Sequence, residues 1–351
     1  MRRRRFKIIQ GSLATKLAEK FDITYGKNLA LSKAPLAKLE QRSFTKKQKS
    51  DIQQSNYIAP GGISYRVSSL TACFESSHQI NHKVFGQRKT LVMINGLTRT
   101  KDHWVHFDRL LAADLNVITL DPRGVGESRQ QAKWDLSIDQ MSDDVKVVMD
   151  DLNIKKAFIL GFSLGGMVAL MFGLRYPRRV YSLVVINSSI GGGSRFPRLY
   201  PQSVIGIFKS FTGKGKNFHN TLSKYVLSLK TPEEMRLWAA HLWANLEKKY
   251  GIGLMITIKQ LVAASRFRNP HKLLAIDAPT LVIYGEHDNF VASSHSAYIF
   301  SHLAQAVLKG IEGGGHELHF DKPYELKESV MEFLTRDLSE YPEPEDLTQR
   351  S

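Results

Sequence analysis

Residues 157–174 read AFILGFSLGGMVALMFGL, eighteen consecutive positions without a charge. That length is at the lower limit for a membrane-spanning helix. Gly161, Ser163, Gly165 and Gly166 interrupt the run in its middle, however, and each glycine costs about 1 kcal/mol relative to alanine inside a helix. A buried strand over 157–162, a tight turn and a buried helix over 164–176 stopped by Pro177 account for it better. No spanning segment is predicted.

The glycines around the serine have a chemical consequence. A chain that passes from strand to helix in so few residues forces Ser163 into a strained conformation, and only small neighbours let the two elements close around it. The hydroxyl then stands at the carboxyl end of the strand, above the positive end of the helix dipole. The Gly161-Phe162-Ser163-Leu164-Gly165 spacing, in this strand–turn–helix setting, marks Ser163 as a candidate nucleophile.

Further out, short apolar runs alternate with helical patterns. Residues 90–94, 116–120, 157–162, 181–186, 280–284 and 306–311 are rich in Val, Ile and Leu with little in/out alternation, as strands covered on both faces should be. Helices are predicted near 103–113, 139–152, 164–176, 293–304 and 323–337. The alternation predicts an α/β, doubly wound and mostly parallel sheet, with one or two antiparallel edge strands from 61–89. Between Gly191 and Pro270 the rhythm breaks. Thr231-Pro232-Glu233-Glu234 reads as a helix start, with Thr231 as N-cap and Glu234 closing a capping box. Met235, Trp238, Leu242 and Leu246 continue it as an apolar stripe. Phe196, Tyr200, Phe208, Phe211, Phe218, Tyr225 and Trp243 make the interval aromatic. An insertion here overhangs the carboxyl ends of the strands, where ligands bind in such sheets. The organisation expected is a basic extension over 1–60, a core over 61–193 and 271–337, a helical cap over 194–270 and a tail over 338–351.

A serine hydroxyl is a poor nucleophile at neutral pH and needs a base, which in turn needs an orienting acid. Asp288, in Gly285-Glu286-His287-Asp288, and His316, in Gly313-Gly314-Gly315-His316, both fall just past predicted strands, on the same rim as Ser163. Glu286, His287 and His319 are rivals. Asn187, past the strand at 181–186, occupies another place for an acid but does not ionise. An oxyanion requires backbone donors; the amides of Leu164, after the nucleophile, and Leu97, in Ile94-Asn95-Gly96-Leu97, are the candidates. His103 and His106 share a helical face, but no carboxylate or thiolate partner stands at metal-site spacing. No metal or cofactor is expected.

With these motifs, the chain resembles the α/β-hydrolase superfamily in its capped branch of esterases, thioesterases and lactonases, over roughly residues 63–337. Asp121-Pro122-Arg123-Gly124-Val125-Gly126-Glu127-Ser128 matches the superfamily's loop after its fourth strand, and reads as a structural turn. Gly285-x-x-Asp288 and Gly315-His316 match its acid and histidine motifs. Two departures stand out: Asn95-Gly96 replaces the usual His-Gly, and Ala292 stands where a proline often follows the acid. The resemblance implies a serine hydrolase of esters, thioesters or lactones, with Ser163 as nucleophile, His316 as base, Asp288 as orienting acid, Leu97 and Leu164 as oxyanion donors, and a small acyl compound as substrate. An acyltransferase with the same triad and a non-catalytic binder of the same fold are the alternatives.

Charge distribution bears on partners. Of the net +16, residues 1–50 supply 14 Lys and Arg against 3 Asp and Glu, a surplus of 11. The basicity therefore belongs mostly to the leading segment and does not argue for specific nucleic-acid binding. Arg2 to Arg5 precede Phe6, Ile9, Leu13, Leu17 and Phe21, one face of a basic amphipathic helix. Residues 1–21 thus allow contact with a membrane surface or an organellar transit role, beside a solvated extension of a cytoplasmic protein. A single cysteine, Cys73, excludes an intramolecular disulfide. Oligomeric state is left unassigned.

Overall fold

A computed structural model describes residues 52–70, 88–192, 198–201, 203, 216–251 and 253–335. The amphipathic stretch 1–21, Cys73, the aromatics Phe196, Phe208 and Phe211, and the tail from 338 lie outside the described residues.

Among the described residues, eight strands form one sheet: β1 (Ile52–Ala59), β2 (Ile63–Leu70), β3 (Thr90–Ile94), β4 (Asn116–Leu120), β5 (Ala157–Phe162), β6 (Val180–Ile186), β7 (Thr280–Gly285) and β8 (Ala306–Ile311). Their spatial order is β1-β2-β4-β3-β5-β6-β7-β8. β1 and β2 form an antiparallel hairpin and β2 runs antiparallel to β4, while every pairing from β4 to β8 is parallel. The sheet therefore starts at Ile52, inside the stretch expected to be extension. The hairpin turn uses Gly61 and Gly62 at φ 84° and 80°, a backbone region open to glycine and costly for residues with a Cβ.

β3, β4 and β5 are buried along their whole length, as their unbroken apolar sequences require. β8 departs from that expectation: its residues alternate in exposure because it is an edge strand with one neighbour.

Helices cover both faces. They are α1 (Phe107–Ala112), α2 (Ile138–Asp151), α3 (Leu164–Arg175), α4 (Lys216–Val226), α5 (Glu233–Tyr250), α6 (Leu254–Arg266), α7 (Ser294–Phe300), α8 (Leu318–Asp321) and α9 (Pro323–Thr335). The predicted helix over 103–113 is split into a 3-10 turn at Lys101–Trp104 and α1, because Val105 takes φ 57° between them. Two apolar clusters fill the faces of the sheet, one around Val92, Ile118, Val145 and Val168, the other around Leu91, Trp104, Leu160 and Val330. A third, around Trp243, Leu242 and Leu246, is built by α4 and α5.

α4, α5 and α6 are inserted between β6 and β7. The capping box expected at Thr231 does not form. Pro232 is the N-cap of α5 and makes no side-chain cap bond; the Thr231 hydroxyl donates to Asp321 at 2.6 Å instead. A carboxylate on α8 is the stronger acceptor and ties the insertion to the sheet domain. Among the described residues no helix is long and apolar enough to cross a membrane.

Candidate active site

The strand order reverses at β3, which has β4 on one side and β5 on the other. Loops leaving neighbouring strands there diverge and open a crevice at their carboxyl ends. Residues 95–100 leave β3 into that crevice, and Ser163 stands at the end of β5.

Ser163 takes φ 53° and ψ −114° as N-cap of α3, a conformation that side chains with a Cβ rarely adopt. Surrounding packing holds it. The Ser163 amide donates to the Ile186 carbonyl at 2.8 Å, and its own carbonyl accepts from the Gly166 amide and the Ser188 hydroxyl. A Cβ on Gly161 would lie 2.1 Å from the Gly165 carbonyl oxygen, and one on Gly165 would lie 2.1 Å from that of Ile94. The small residues are a steric requirement of the turn.

From this strained corner the side chains run in a chain. Ser163 Oγ is 3.1 Å from His316 Nε2, and His316 Nδ1 is 2.7 Å from Asp288 Oδ2. The other carboxylate oxygen of Asp288 accepts the amides of Phe290 and Val291 at 2.8 and 2.9 Å. Asp288 and His316 are buried. Rings of Phe162 and Phe290 flank the imidazole with centroids 5.0 and 4.9 Å away. All three sequence-predicted residues therefore meet, although 125 positions separate the serine from the aspartate.

The rival residues are placed elsewhere. Glu286 is exposed and His287 only partly buried. His319 is buried, with Nε2 3.1 Å from the His103 carbonyl oxygen and its ring against Trp104; burial pushes its pKa down. His103 closes the capping box of its own 3-10 turn, its Nδ1 accepting the Thr100 amide. No group of metal-ligating side chains assembles among the described residues.

In the loop after β3, Asn95 does the positioning. Its Oδ1 accepts the Gly96 amide at 2.8 Å and its Nδ2 donates to the Thr100 carbonyl at 3.1 Å. Leu97 follows and lines the same cavity as Ser163, with Leu222 and Val226 of α4, Thr257 of α6, Phe290 and His316. That cavity measures about 70 Å³. Leu164, the other expected donor, opens α3 directly behind the serine.

Three supports were not foreseen from the sequence. Asn187 donates to the carbonyls of Gly315 and His316 and accepts the Gly285 amide, so it stitches the ends of β6, β7 and β8 together. Arg99 and Glu317, both buried, form an ion pair at 2.6 Å across the loops that carry Leu97 and His316, with the guanidinium 4.3 Å over the Trp243 ring. Burial alone would raise the Glu317 carboxyl, but Arg99, His319 and His316 outweigh it and hold it below its ordinary range. Asp321 accepts the Gly315 and Ser228 amides beside Thr231; burial pushes it up to about 6 despite those bonds. Adjacency to His316 is the one signal the sequence carried for Glu317.

The Asp121–Ser128 loop is structural, as its sequence suggested. Asp121 accepts the amides of Lys101 and Glu127 and pairs with Lys101 Nζ at 2.8 Å.

Residues 89–323 match the family described as alpha/beta hydrolase fold. The chain is 26% identical over 257 residues to the 2-hydroxy-6-oxononadienedioate/2-hydroxy-6-oxononatrienedioate hydrolase 1 of Pseudomonas putida, covering 71% of this chain and 88% of that protein. Among solved structures it is similar to the 2-hydroxy-6-oxo-6-phenylhexa-2,4-dienoate hydrolase of Rhodococcus sp. strain RHA1, at 18% identity and TM-score 0.63 over 82% of this chain and 99% of that one. The enol-lactonase of Burkholderia xenovorans LB400 matches at 19% identity and TM-score 0.60 over 80% and 100%.

Proposed function

The chain belongs to the alpha/beta hydrolase fold family, and from that premise we propose that it is a serine hydrolase cleaving a carboxylic ester, thioester or lactone. The continuous path from Ser163 Oγ through the His316 imidazole to Asp288, at 3.1 and 2.7 Å, carries the reading. A strained serine aimed at a buried imidazole, itself fixed by a buried carboxylate, is a costly arrangement for a protein that only binds.

Ser163 Oγ attacks the substrate's carbonyl carbon while its proton passes to His316 Nε2. Asp288, held by two backbone amides, fixes the imidazole's orientation and stabilises the imidazolium. The amides of Leu97 and Leu164 donate to the oxyanion of the tetrahedral intermediate, which collapses as His316 Nε2 protonates the leaving oxygen or sulfur. Water then gives its proton to His316, attacks the acyl-serine and releases the acid with Ser163 reprotonated. α4 to α6 serve as the cap, and Leu222, Val226 and Phe290 give the cavity an apolar wall suited to an acyl group.

Hydrolysis of a graded series of activated acyl esters by the wild type and by Ser163→Ala tests the reading. Loss of at least about 10³-fold in kcat is expected for the variant. Equal turnover by both proteins would remove Ser163 from the mechanism. The Pseudomonas putida relative is named for an oxo-dienedioate, which supports a second reading: hydrolysis of a carbon–carbon bond beside a ketone by the same residues. Turnover of a vinylogous 1,5-diketone acid in preference to every ester would favour it.

A further inference from the structure

α6 is apolar on its outer side as well as on the inner side that packs Ile256, Ala263 and Ala264 against the core. Its inner side buries Gln260, Ala263 and Ala264, and Gln260 Oε1 accepts the Thr98 amide at 2.8 Å. The outer side should then be polar. Instead Leu254, Met255, Ile258 and Val262 are 51%, 50%, 39% and 38% exposed. At intervals of four, Leu254, Ile258 and Val262 form a row along the helix, with Met255 beside it. Across a short gap Trp134 is also exposed, with Lys259 Nζ 4.7 Å over its ring.

The surroundings of this ridge are predominantly cationic, although Asp135 is exposed beside Trp134, Lys249 pairs with Asp102, and Glu247 and Asp277 bound the basic stretch. From Lys248 to Ile276 the sequence contains Lys248, Lys249, Lys259, Arg266, Arg268 and Lys272, and no Asp or Glu. A second copy of the chain would set one basic belt against another. Residues 1–50, with a surplus of 11 positive charges, would meet the same repulsion. A row of aliphatic side chains also offers a protein partner little to hydrogen-bond, whereas protein interfaces carry about one hydrogen bond per 100–200 Å². An aliphatic ridge with an aromatic neighbour and a cationic border matches a lipid–water interface with anionic headgroups.

We propose that the outer face of α6 docks on an anionic lipid surface, with Leu254, Met255, Ile258 and Val262 entering the acyl boundary and the flanking lysines and arginines meeting headgroups. Thr257, on the same helix, lines the cavity that contains Ser163, so docking brings that cavity within one helix width of the interface. An acyl substrate then enters from the lipid side; this consequence rests on the hydrolase reading, whereas the docking does not.

The full-length chain is floated with vesicles of phosphatidylcholine containing about 30 mol% phosphatidylglycerol, and with pure phosphatidylcholine vesicles. Wild type and Ser163→Ala are expected to float equally with the anionic vesicles, which separates failure of the docking from failure of the hydrolase reading. The triple variant Met255→Ser, Ile258→Ser, Val262→Ser is expected to lose about tenfold or more in partitioning. Its thermal midpoint and its turnover of a short soluble ester stay unchanged. Undiminished flotation of the triple variant, with loss on changing Arg2 to Arg5 to Gln, would assign the contact to the leading segment and overturn the proposal. Equal flotation on neutral vesicles, no flotation of the wild type, or a triple variant that turns a dimer into a monomer would overturn it too. A polarity-sensitive fluorophore on Ile258→Cys, in a Cys73→Ser background, gives a second readout. It should shift to the blue with anionic vesicles while the same probe on Glu328→Cys does not; two silent probes would also overturn the proposal.

Discussion

The side-chain nitrogen of Asn187 donates to the carbonyl oxygen of His316 at 2.6 Å. The same nitrogen reaches the Gly315 carbonyl at 3.0 Å, and the amide oxygen accepts from Gly285 at 2.9 Å. One buried side chain thus fixes where the proposed base sits without touching substrate. Removing it in Asn187→Ala leaves two buried carbonyls and one buried amide short of a partner. A stability loss of about 1–3 kcal/mol is expected, measurable by denaturant unfolding. A fall in kcat of about 10–100-fold with little change in KM should accompany it, because misplacing a reacting group by a fraction of an ångström is costly. Unchanged kcat in a folded variant would show that His316 is held by other contacts.

The sequence made the centre of the site legible and left its supports obscure. Ser163, Asp288 and His316 each follow a strand whose apolar run is readable from composition, so their convergence at one rim follows from a parallel sheet. Asn187 also stood in view at the end of its strand. Its role depends on carbonyls 128 and 129 residues away, and backbone acceptors leave no mark on side-chain identity. The β1–β2 hairpin was partly hidden because polar residues such as Gln53, Gln54 and Asn56 occupy β1, an edge strand without the buried faces of β3 to β5. Thr231 shows the limit of local rules: it carries the spacing of a helix cap, yet bonds to Asp321, 90 positions away.

The buried ion pair of Arg99 and Glu317 should behave asymmetrically. Arg99→Met leaves a buried carboxylate without its cation, and a loss of about 3–5 kcal/mol is expected. Arg99→Met combined with Glu317→Gln removes both charges and should recover most of that loss. Urea unfolding of the two single variants and the double variant measures the coupling. Additive losses would mean that the pair contributes nothing as a unit.

Gly165→Ala and Gly253→Ala offer a controlled contrast. A Cβ at Gly165 would stand 2.1 Å from the Ile94 carbonyl oxygen and 2.7 Å from that of Asn95, whereas one at Gly253 meets nothing within 4 Å. Gly165→Ala must push α3 away from the loop that carries Leu97. It should cost about 1–3 kcal/mol or more by overpacking, and lower kcat because Ser163 and the proposed oxyanion donors separate. Gly253→Ala, at φ −121° and at the N-cap of α6, should stay within about 1 kcal/mol of the wild type, because the unfolded-chain entropy it removes is offset by alanine's poorer capping. Thermal melts and kinetics on the pair distinguish a steric role for Gly165 from a general intolerance of substitution.

His219 gives the insertion a pH dependence whose direction is fixed. It is buried with Nε2 2.9 Å from Glu247, yet burial, and then Arg99, lower its pKa to about 3. Desolvation outweighs the neighbouring carboxylate, whose own pKa burial raises, so the contact is a hydrogen bond to a neutral ring. The unfolded chain takes up a proton near pH 6.5 and the folded one does not. Stability from this group is therefore complete above about pH 6.5 and is lost progressively as pH falls towards about 3, by about 3–5 kcal/mol at most. Glu247 acts oppositely over a narrower range around its ordinary value and offsets part of the loss. His219→Gln keeps a donor towards Glu247 and does not titrate. Its melting temperature should drop less than that of the wild type between pH 7 and pH 4, and parallel curves would show that the imidazole is protonated in the folded protein.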